Sequence, residues 1–134
     1  MFILDSKLKA DTLFICDLKL SHLLLMNDSN YPWLILVPKK PNLVEITDLS
    51  FEDQKILLAE INLIAKILKE NFLADKLNIA NLGNIVSQLH IHVIARFKND
   101  IAFPKPVWGF KEAAPYSEND AINLTNKIKS LING

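Results

Sequence analysis

Short apolar runs bounded by polar or turn-forming residues predict a set of β-strands along the chain. A cluster of turn formers at residues 27–32 separates the second run from the third, and Pro38 ends the third. The second and third strands are therefore expected to form a hairpin, and a turn signal at residues 82–84 joins the last two strands in the same way. The runs cover residues 12–18, 20–26, 33–37, 76–81 and 87–96.

A long stretch between the third and fourth runs carries apolar residues at helical spacing. From residue 51 to residue 72 an apolar side chain recurs every three or four positions, which places an apolar stripe on one face of a helix. Ser50 and Asp53 have the spacing of a capping box, with Asp in place of the usual Glu, and Asp48 is a rival cap. We expect this helix to pack on the sheet through its stripe, which consists of Leu57, Ile61, Ile64, Leu68 and Phe72.

Two shorter helices are expected near the ends of the chain. Residues 4–11 carry Leu4 and Leu8 at helical spacing, which predicts a short surface helix. Ser117 or Asn119 is placed to cap a C-terminal helix whose apolar stripe precedes Gly134. The pattern as a whole predicts an α+β fold with an antiparallel sheet of about five strands, one long helix packed on it and a C-terminal helix.

Within the last strand, polar and apolar residues alternate in a row that includes two of the three histidines of the chain. Because strand side chains alternate between faces, Gln88, His90 and His92 are expected to share one face, and Leu89 and Ile91 the other. A buried imidazole or amide without a partner costs on the order of 1–3 kcal/mol. The row therefore predicts a set of polar groups that bind protein groups or a ligand.

Composition and charge restrict the number of domains, the partners and the compartment that the sequence is compatible with. With 134 residues, 50% hydrophobic and 22% charged, the chain has the size and composition of one folded domain, and we expect residues 1–134 to form it. Fifteen basic residues balance fifteen acidic ones, so no net field attracts nucleic acid or an anionic membrane, and neither partner is expected. Cys16 is the only cysteine, which excludes an internal disulfide and favours the cytoplasm.

Three interpretations of the histidine row stay open on the residues alone. The histidines can be packed polar residues that bind their neighbours. They can share a metal ion, although no third ligand lies within reach in the sequence; His22, Asp17 and Asp28 would have to be brought near by folding. Finally, a neutral imidazole can act as a nucleophile while the second histidine donates a hydrogen bond to a phosphoryl oxygen or to the leaving group.

Residues 88–94, Gln-Leu-His-Ile-His-Val-Ile, resemble the signature of the histidine triad (HIT) family, His-φ-His-φ-His-φ-φ with φ apolar, except that Gln88 stands where the first histidine is expected. The likeness covers most of residues 12–97, since the hairpin that ends in residues 34–41, the long helix and Asn81-Leu82-Gly83 follow in family order. Placing Gln88 first fills every apolar position of the signature, whereas placing His90 first would break the closing apolar pair with Arg96.

The resemblance implies roles for the residues of the row. His90 falls on the nucleophilic histidine that takes up a nucleotidyl group from an α-phosphate, and His92 falls on the histidine that contacts phosphate oxygens. Gln88 cannot titrate and is expected to orient the nucleophile or the phosphate. The implied activity is that of a nucleotide hydrolase or nucleotidyl transferase acting on dinucleoside polyphosphates or nucleoside phosphoramidates, without a cofactor. The alternative is a catalytically weak or inactive nucleotide-binding or interaction module of the same fold.

Other residues are candidates around this row. Asn81 matches a family position near the nucleotide, Ser87 is a substitute in a shortened phosphate loop, and Asn27 or Asp28 is placed to meet the ribose, with an ordinary turn as the alternative. Trp108 is expected either to pack or to cover a base. The resemblance also implies a homodimer whose sheets run together across the interface.

Overall fold

The computed structural model describes residues 1–134 and contains one five-stranded antiparallel sheet in the order β1-β2-β3-β5-β4. Every consecutive pair in this order is antiparallel, and the expected hairpins β2–β3 and β4–β5 are both present. The elements are α1 (Ser6–Asp11), β1 (Thr12–Asp17), β2 (Ser21–Met26), β3 (Trp33–Pro38), α2 (Phe51–Asn71), β4 (Lys76–Ala80), β5 (Ile91–Arg96) and α3 (Glu118–Asn133), with a short 3-10 turn at Ile46–Asp48. The predicted α+β architecture is confirmed.

Strand β5 lies inside the sheet, between β3 and β4, and all of its six residues are buried. It pairs with β3 from Leu36 opposite Ile91 to Trp33 opposite Ile94, and with β4 up to Ala80 opposite His92. Residues 92–94 of the motif are therefore held by neighbouring strands on both sides.

One face of the sheet packs against α2 and α3. Alternate residues of the motif, Leu89, Ile91 and Val93, enter a core of 18 buried residues on this side. Helix α2 contributes the stripe that its periodicity predicts, including Leu57, Ile64 and Leu68. Burying apolar side chains at about 25 cal/mol per Å² makes this face the main source of stability.

The opposite face is covered by segments that are not part of the sheet. The N-terminal residues contribute Leu8, and the segment after β5 contributes Ala102 and Val107, to a second cluster of nine buried residues. Strands β3 and β5 supply Ile35 and Ile94 to the same cluster. His90 and His92 belong to this face, because they alternate with the residues that enter the larger core.

Two of the residues predicted as helix caps do cap helices in the structure. The Ser50 hydroxyl accepts a hydrogen bond from the Asp53 amide at 3.1 Å, and the Ser117 hydroxyl accepts one from the Asp120 amide at 3.2 Å, so Ser50 and Ser117 are the caps. Asp48, the rival cap, instead accepts hydrogen bonds from the amides of Val44 and Glu45.

The last strand is shorter than its apolar pattern suggests. The prediction extended it over residues 87–96, whereas the ladder begins only at Ile91. The reason is that β4 ends at Ala80, opposite His92, and pairing with β3 ends at Leu36, opposite Ile91, so residues 87–90 have no partner in either strand. The Leu89 amide donates to the Leu43 carbonyl instead, at 2.9 Å.

A buried ion pair ties the segment after β5 to the end of that strand. Arg96 is 1% exposed and makes two hydrogen bonds to Asp100, at 2.9 and 3.1 Å. The carboxylate also accepts hydrogen bonds from the amides of Phe97, Ala102 and Phe103. Burial opposes ionisation of Asp100, but the bonds from Arg96 and the three amides outweigh it and lower its pKa to about 2.

None of the helices combines the length and the apolar character that crossing a bilayer requires.

We expect Asp100→Asn to lower the free energy of unfolding by about 3 kcal/mol at neutral pH, because it leaves the buried Arg96 without its counter-charge. The folded-state pKa of Asp100 lies below its ordinary value of 3.8, so its contribution is complete above about pH 4 and is lost as the pH falls towards 2. Urea denaturation at several pH values measures the difference from the wild type. The exposed Glu112→Gln is the control, and a difference that does not shrink in acid would contradict this role.

Candidate functional site

His90 and His92 lie side by side at the entry to β5, each only 4% exposed. Their ring centroids are 4.8 Å apart, and the ring planes meet at 70°. Both rings line a cavity of about 420 Å³, a volume within the range of small-molecule sites. The histidine row, for which the sequence predicts protein or ligand partners, therefore supplies two side chains to this cavity.

Three segments close the cavity around the histidines. Helix α1 supplies Lys7, Leu8 and Asp11, the turn after β4 supplies residues 82 and 84–86, and the segment after β5 supplies residues 107–109 with Lys111 and Ala113. The walls are mostly apolar, and their charged groups are two lysines and two carboxylates, Asp11 and Asp28. Such a lining suits a flat apolar group with a small number of attached polar groups.

The hydrogen bond at Nδ1 of His90 determines where its lone pair lies. Nδ1 is 2.7 Å from the carbonyl oxygen of Gln88. A carbonyl can only accept, so Nδ1 carries the proton, and in the neutral ring Nε2 is left with a free lone pair. This is the atom that a nucleophilic imidazole uses.

His92 is held in the opposite tautomer. The indole Nε1 of Trp33 donates to Nδ1 of His92 at 3.0 Å, and an indole N–H can only donate. Nε2 of His92 therefore carries the proton, and it is 3.3 Å from the carbonyl oxygen of Leu82. Burial, with a smaller effect of His90, lowers the pKa of His92 to about 4, so the ring is neutral at pH 7.

Aromatic side chains surround the second histidine. Trp33 and Trp108 meet edge to face at 6.0 Å between centroids, and Trp108 lies 5.2 Å from the ring of His92. Trp108 Nε1 is buried and has no hydrogen-bond partner. Both tryptophans line the cavity. Trp108 therefore packs against neighbouring rings and also borders the space that a ligand would occupy.

The turn after β4 approaches His90 closely at Gly83. A Cβ atom at this position would lie 2.7 Å from the Val86 carbonyl oxygen and 3.7 Å from Cε1 of His90. The tight turn therefore requires glycine, and it places Asn84, Ile85 and Val86 on the cavity wall.

Gln88 lies apart from the two histidines, although the alternation predicted that all three share a face. Its side chain accepts a hydrogen bond from the Asp5 amide and donates one to the Ile3 carbonyl, both at 2.8 Å. Gln88 is not among the residues that line the cavity. The N-terminal segment accounts for the difference, because the Asp5 amide and the Ile3 carbonyl bind the Gln88 side chain outside the ladder, which begins only at Ile91.

Three further candidates also lie outside the lining. Asn81 is exposed and donates to Glu45 at 3.2 Å, Ser87 is exposed, and the Asn27 side chain accepts a hydrogen bond from the Tyr116 amide at 2.9 Å. The cavity residue of this turn is Asp28, which is 4% exposed. Nucleotide contacts of Asn81, Ser87 and Asn27 stay predictions, and the geometry favours Asp28 over Asn27.

The N-terminal helix and Lys111 also line the cavity, although nothing in the sequence pattern points to them. Lys7 and Asp11 form an ion pair at 2.9 Å on α1, more than 70 positions before the motif. No local signal connects such distant segments, because only tertiary contacts of the N-terminal segment bring them to the histidines. The structure contains no cluster of three or more His, Cys, Asp or Glu side chains placed to hold a metal ion.

We expect nitrogen NMR at pH 7 to find opposite tautomers, with the proton on Nδ1 in His90 and on Nε2 in His92. Trp33→Phe removes the indole donor that opposes protonation of Nδ1, so the pKa of His92 should rise from about 4. Tyr31→Phe is the matched control, because the Tyr31 hydroxyl has no hydrogen-bond partner. Equal tautomers, or an unchanged pKa in Trp33→Phe, would refute this arrangement.

Comparison with known proteins agrees with this geometry. The family model described as HIT domain matches residues 7–99. A histidine triad protein from Bradyrhizobium japonicum is 46% identical, covers 98% of both chains and superposes with a TM-score of 0.95. One from Marinobacter aquaeolei is 41% identical over 99% of this chain and 97% of its own, with a TM-score of 0.97.

A more distant structure has a stated activity. The diadenosine triphosphate hydrolase of Plasmodium falciparum, solved in complex with cyclomarin A, is 25% identical over 97% of this chain and 79% of its own, with a TM-score of 0.63. No curated protein sequence matches the chain. The family model and the two histidine triad structures show that the chain belongs to the histidine triad (HIT) family.

Proposed function

We propose that the protein is a nucleotide hydrolase or nucleotidyl transferase that acts at an α-phosphate, with His90 as the nucleophile. The observation that carries this proposal is the hydrogen bond of 2.7 Å between His90 Nδ1 and the Gln88 carbonyl oxygen, which leaves Nε2 unprotonated in a ring that lines the cavity. Membership of the family and the activity of the related diadenosine triphosphate hydrolase support the substrate class.

The proposed reaction has two displacements. Nε2 of His90 attacks the α-phosphorus, a phosphorus–nitrogen bond forms, and the bond to the leaving group breaks with its electron pair on that group. Water, or another acceptor hydroxyl, then attacks the phosphorus and displaces His90, whose Nε2 regains its lone pair. The proton of the attacking hydroxyl passes to solvent, and the nucleotide is released.

His92 serves as a neutral hydrogen-bond donor in this scheme. Its Nε2–H is directed to the Leu82 carbonyl oxygen at a long 3.3 Å, and we propose that a phosphoryl oxygen replaces or shares this acceptor. With a pKa of about 4, His92 does not supply a proton at neutral pH, and Gln88 cannot titrate. The histidine motif therefore favours leaving groups that depart as anions, as in dinucleoside polyphosphates, over the amines of phosphoramidates.

Asp28 is the residue that we propose for the ribose. One of its oxygens, Oδ1, accepts hydrogen bonds from Asn30 and from the Ala114 amide, at 2.8 to 3.2 Å, which fixes the carboxylate on the cavity wall. Ribose hydroxyls are donors that a fixed carboxylate oxygen binds well. The apolar and aromatic walls are left for the base.

We expect His90→Asn to lower the turnover of diadenosine polyphosphates and of adenosine phosphoramidates by at least a thousandfold, because an amide is no nucleophile. His22→Asn is the matched control, since His22 lies on β2, is paired with Asp17 and does not line the cavity. Chromatographic assay of released AMP measures both substrate classes. Full activity in His90→Asn would refute the mechanism, and a wild-type protein that binds AMP without turnover would favour the nucleotide-binding module.

We also propose that the protein forms a homodimer through the free edge of β4. This strand pairs only with β5, and its outer edge has no partner in the sheet. The opposite edge strand, β1, is interrupted by a bulge between Phe14 and Cys16, a feature that disfavours pairing with another chain. Antiparallel pairing of two β4 edges would join two sheets across a twofold axis.

Ile79→Lys is expected to shift this dimer to monomers in sedimentation velocity, because Ile79 is a 48% exposed apolar residue of β4 and the substitution places two like charges at the interface. Ile122→Lys on α3, 50% exposed in the wild type, is the control. A monomeric wild type would contradict the dimer.

We further propose that the chain works as one cytoplasmic domain, since its single cysteine, Cys16, leaves the fold independent of disulfides.

A further inference from the structure

The side chain of Gln88 joins two parts of the chain that are more than 80 positions apart. Its Oε1 accepts a hydrogen bond from the Asp5 amide and its Nε2 donates one to the Ile3 carbonyl, both at 2.8 Å. These backbone groups flank Leu4, so one amide side chain binds the N-terminal segment, residues 1–11, at two points. A carboxamide offers an acceptor and a donor on neighbouring atoms, which matches this pair of backbone groups.

The bound segment leads directly into the cavity wall. The Asp5 amide is held by Gln88, while its carboxylate accepts hydrogen bonds from the amides of Lys7 and Leu8 and so begins α1. Leu8 is 4% exposed and lies in the second apolar cluster, where Phe2 and Leu4 also pack. Lys7, Leu8 and Asp11 then line the cavity. The position of these three side chains depends on how the segment before them is fixed.

The same residue also binds the nucleophile, but through its backbone. The Gln88 carbonyl oxygen is the acceptor for Nδ1 of His90 at 2.7 Å. The main-chain carbonyl of Gln88 thus fixes the tautomer of His90. Its side chain holds the N-terminal segment that forms part of the cavity wall. A side-chain substitution separates the two effects, because it leaves the carbonyl in place.

We propose that Gln88 is a positioning residue that fixes the N-terminal segment on the site and thereby sets the affinity for the nucleotide, while the reaction at His90 is left unchanged. The part that concerns the nucleotide rests on the function proposed above. Because the helix α1 is short, with six residues, it has little stability of its own, and its place on the cavity depends on the contacts of residues 1–5 with the rest of the protein.

Two substitutions with side chains of similar length separate the contributions of the two hydrogen bonds. Gln88→Met removes both hydrogen bonds, whereas Gln88→Glu keeps an acceptor for the Asp5 amide and loses the donor to the Ile3 carbonyl. Gln54→Met is the matched control, since the Gln54 side chain binds the Leu49 carbonyl beside α2 and does not line the cavity. Three quantities are measured in each protein: hydrogen exchange of the Asp5 amide without ligand, the Kd of AMP by calorimetry, and kcat and KM for diadenosine triphosphate.

For Gln88→Met we expect Asp5 amide exchange to accelerate at least tenfold and the Kd and KM to rise about tenfold, while kcat changes less than threefold. Gln88→Glu should keep most of the Asp5 protection and show a smaller rise in Kd, and Gln54→Met should match the wild type in all three. A merely structural role of Gln88 would instead change kcat and KM together with the global stability.

Two results overturn the proposal: unchanged Asp5 exchange in Gln88→Met, or accelerated exchange with a wild-type Kd for AMP. A wild type that binds no AMP and turns over no diadenosine triphosphate overturns the proposed function and the part of this proposal that concerns the nucleotide. In that case Asp5 exchange still decides whether Gln88 holds the N-terminal segment.

Discussion

The hydrogen bond from His90 Nδ1 to the Gln88 carbonyl oxygen is the interaction on which the chemistry of the site depends. It fixes one imidazole with its free lone pair on Nε2, while the indole N–H of Trp33 fixes the neighbouring imidazole with a proton on Nε2. Two histidines that are two positions apart thus take opposite tautomers, which suit the proposed roles of nucleophile and donor. Their different hydrogen-bond partners, rather than their sequence positions, set these tautomers.

Burial makes this assignment stable. Both rings are 4% exposed, and burial is the main reason that the pKa of His92 falls to about 4. A protonated His92 would place two donors, its own Nδ1–H and the indole N–H, against each other. The sheet supports the arrangement, because Ile91, the residue between the two histidines, belongs to the larger core and pairs with Leu36 of β3.

The features that depend on local periodicity can be predicted from the sequence. The five strands, the helix that follows Ser50 and the face of the sheet that His90 and His92 share all follow from the spacing of apolar residues. The position of Gln88 does not follow, because it is set by the end of the ladder with β4 and by the backbone of Ile3 and Asp5. Nothing in the sequence points to Lys7 or Lys111 as a cavity residue either, since only the packing of distant segments brings them there.

The most direct test of the account is to trap the reaction between its two displacements. Rapid mixing with a labelled diadenosine polyphosphate, acid-free denaturation and peptide mass spectrometry would locate any covalently bound nucleotide. We expect an adenylyl group on the imidazole of His90 that forms and decays at the rate of turnover. Turnover without a covalent adduct, or an adduct on His92 or on a lysine, would contradict it.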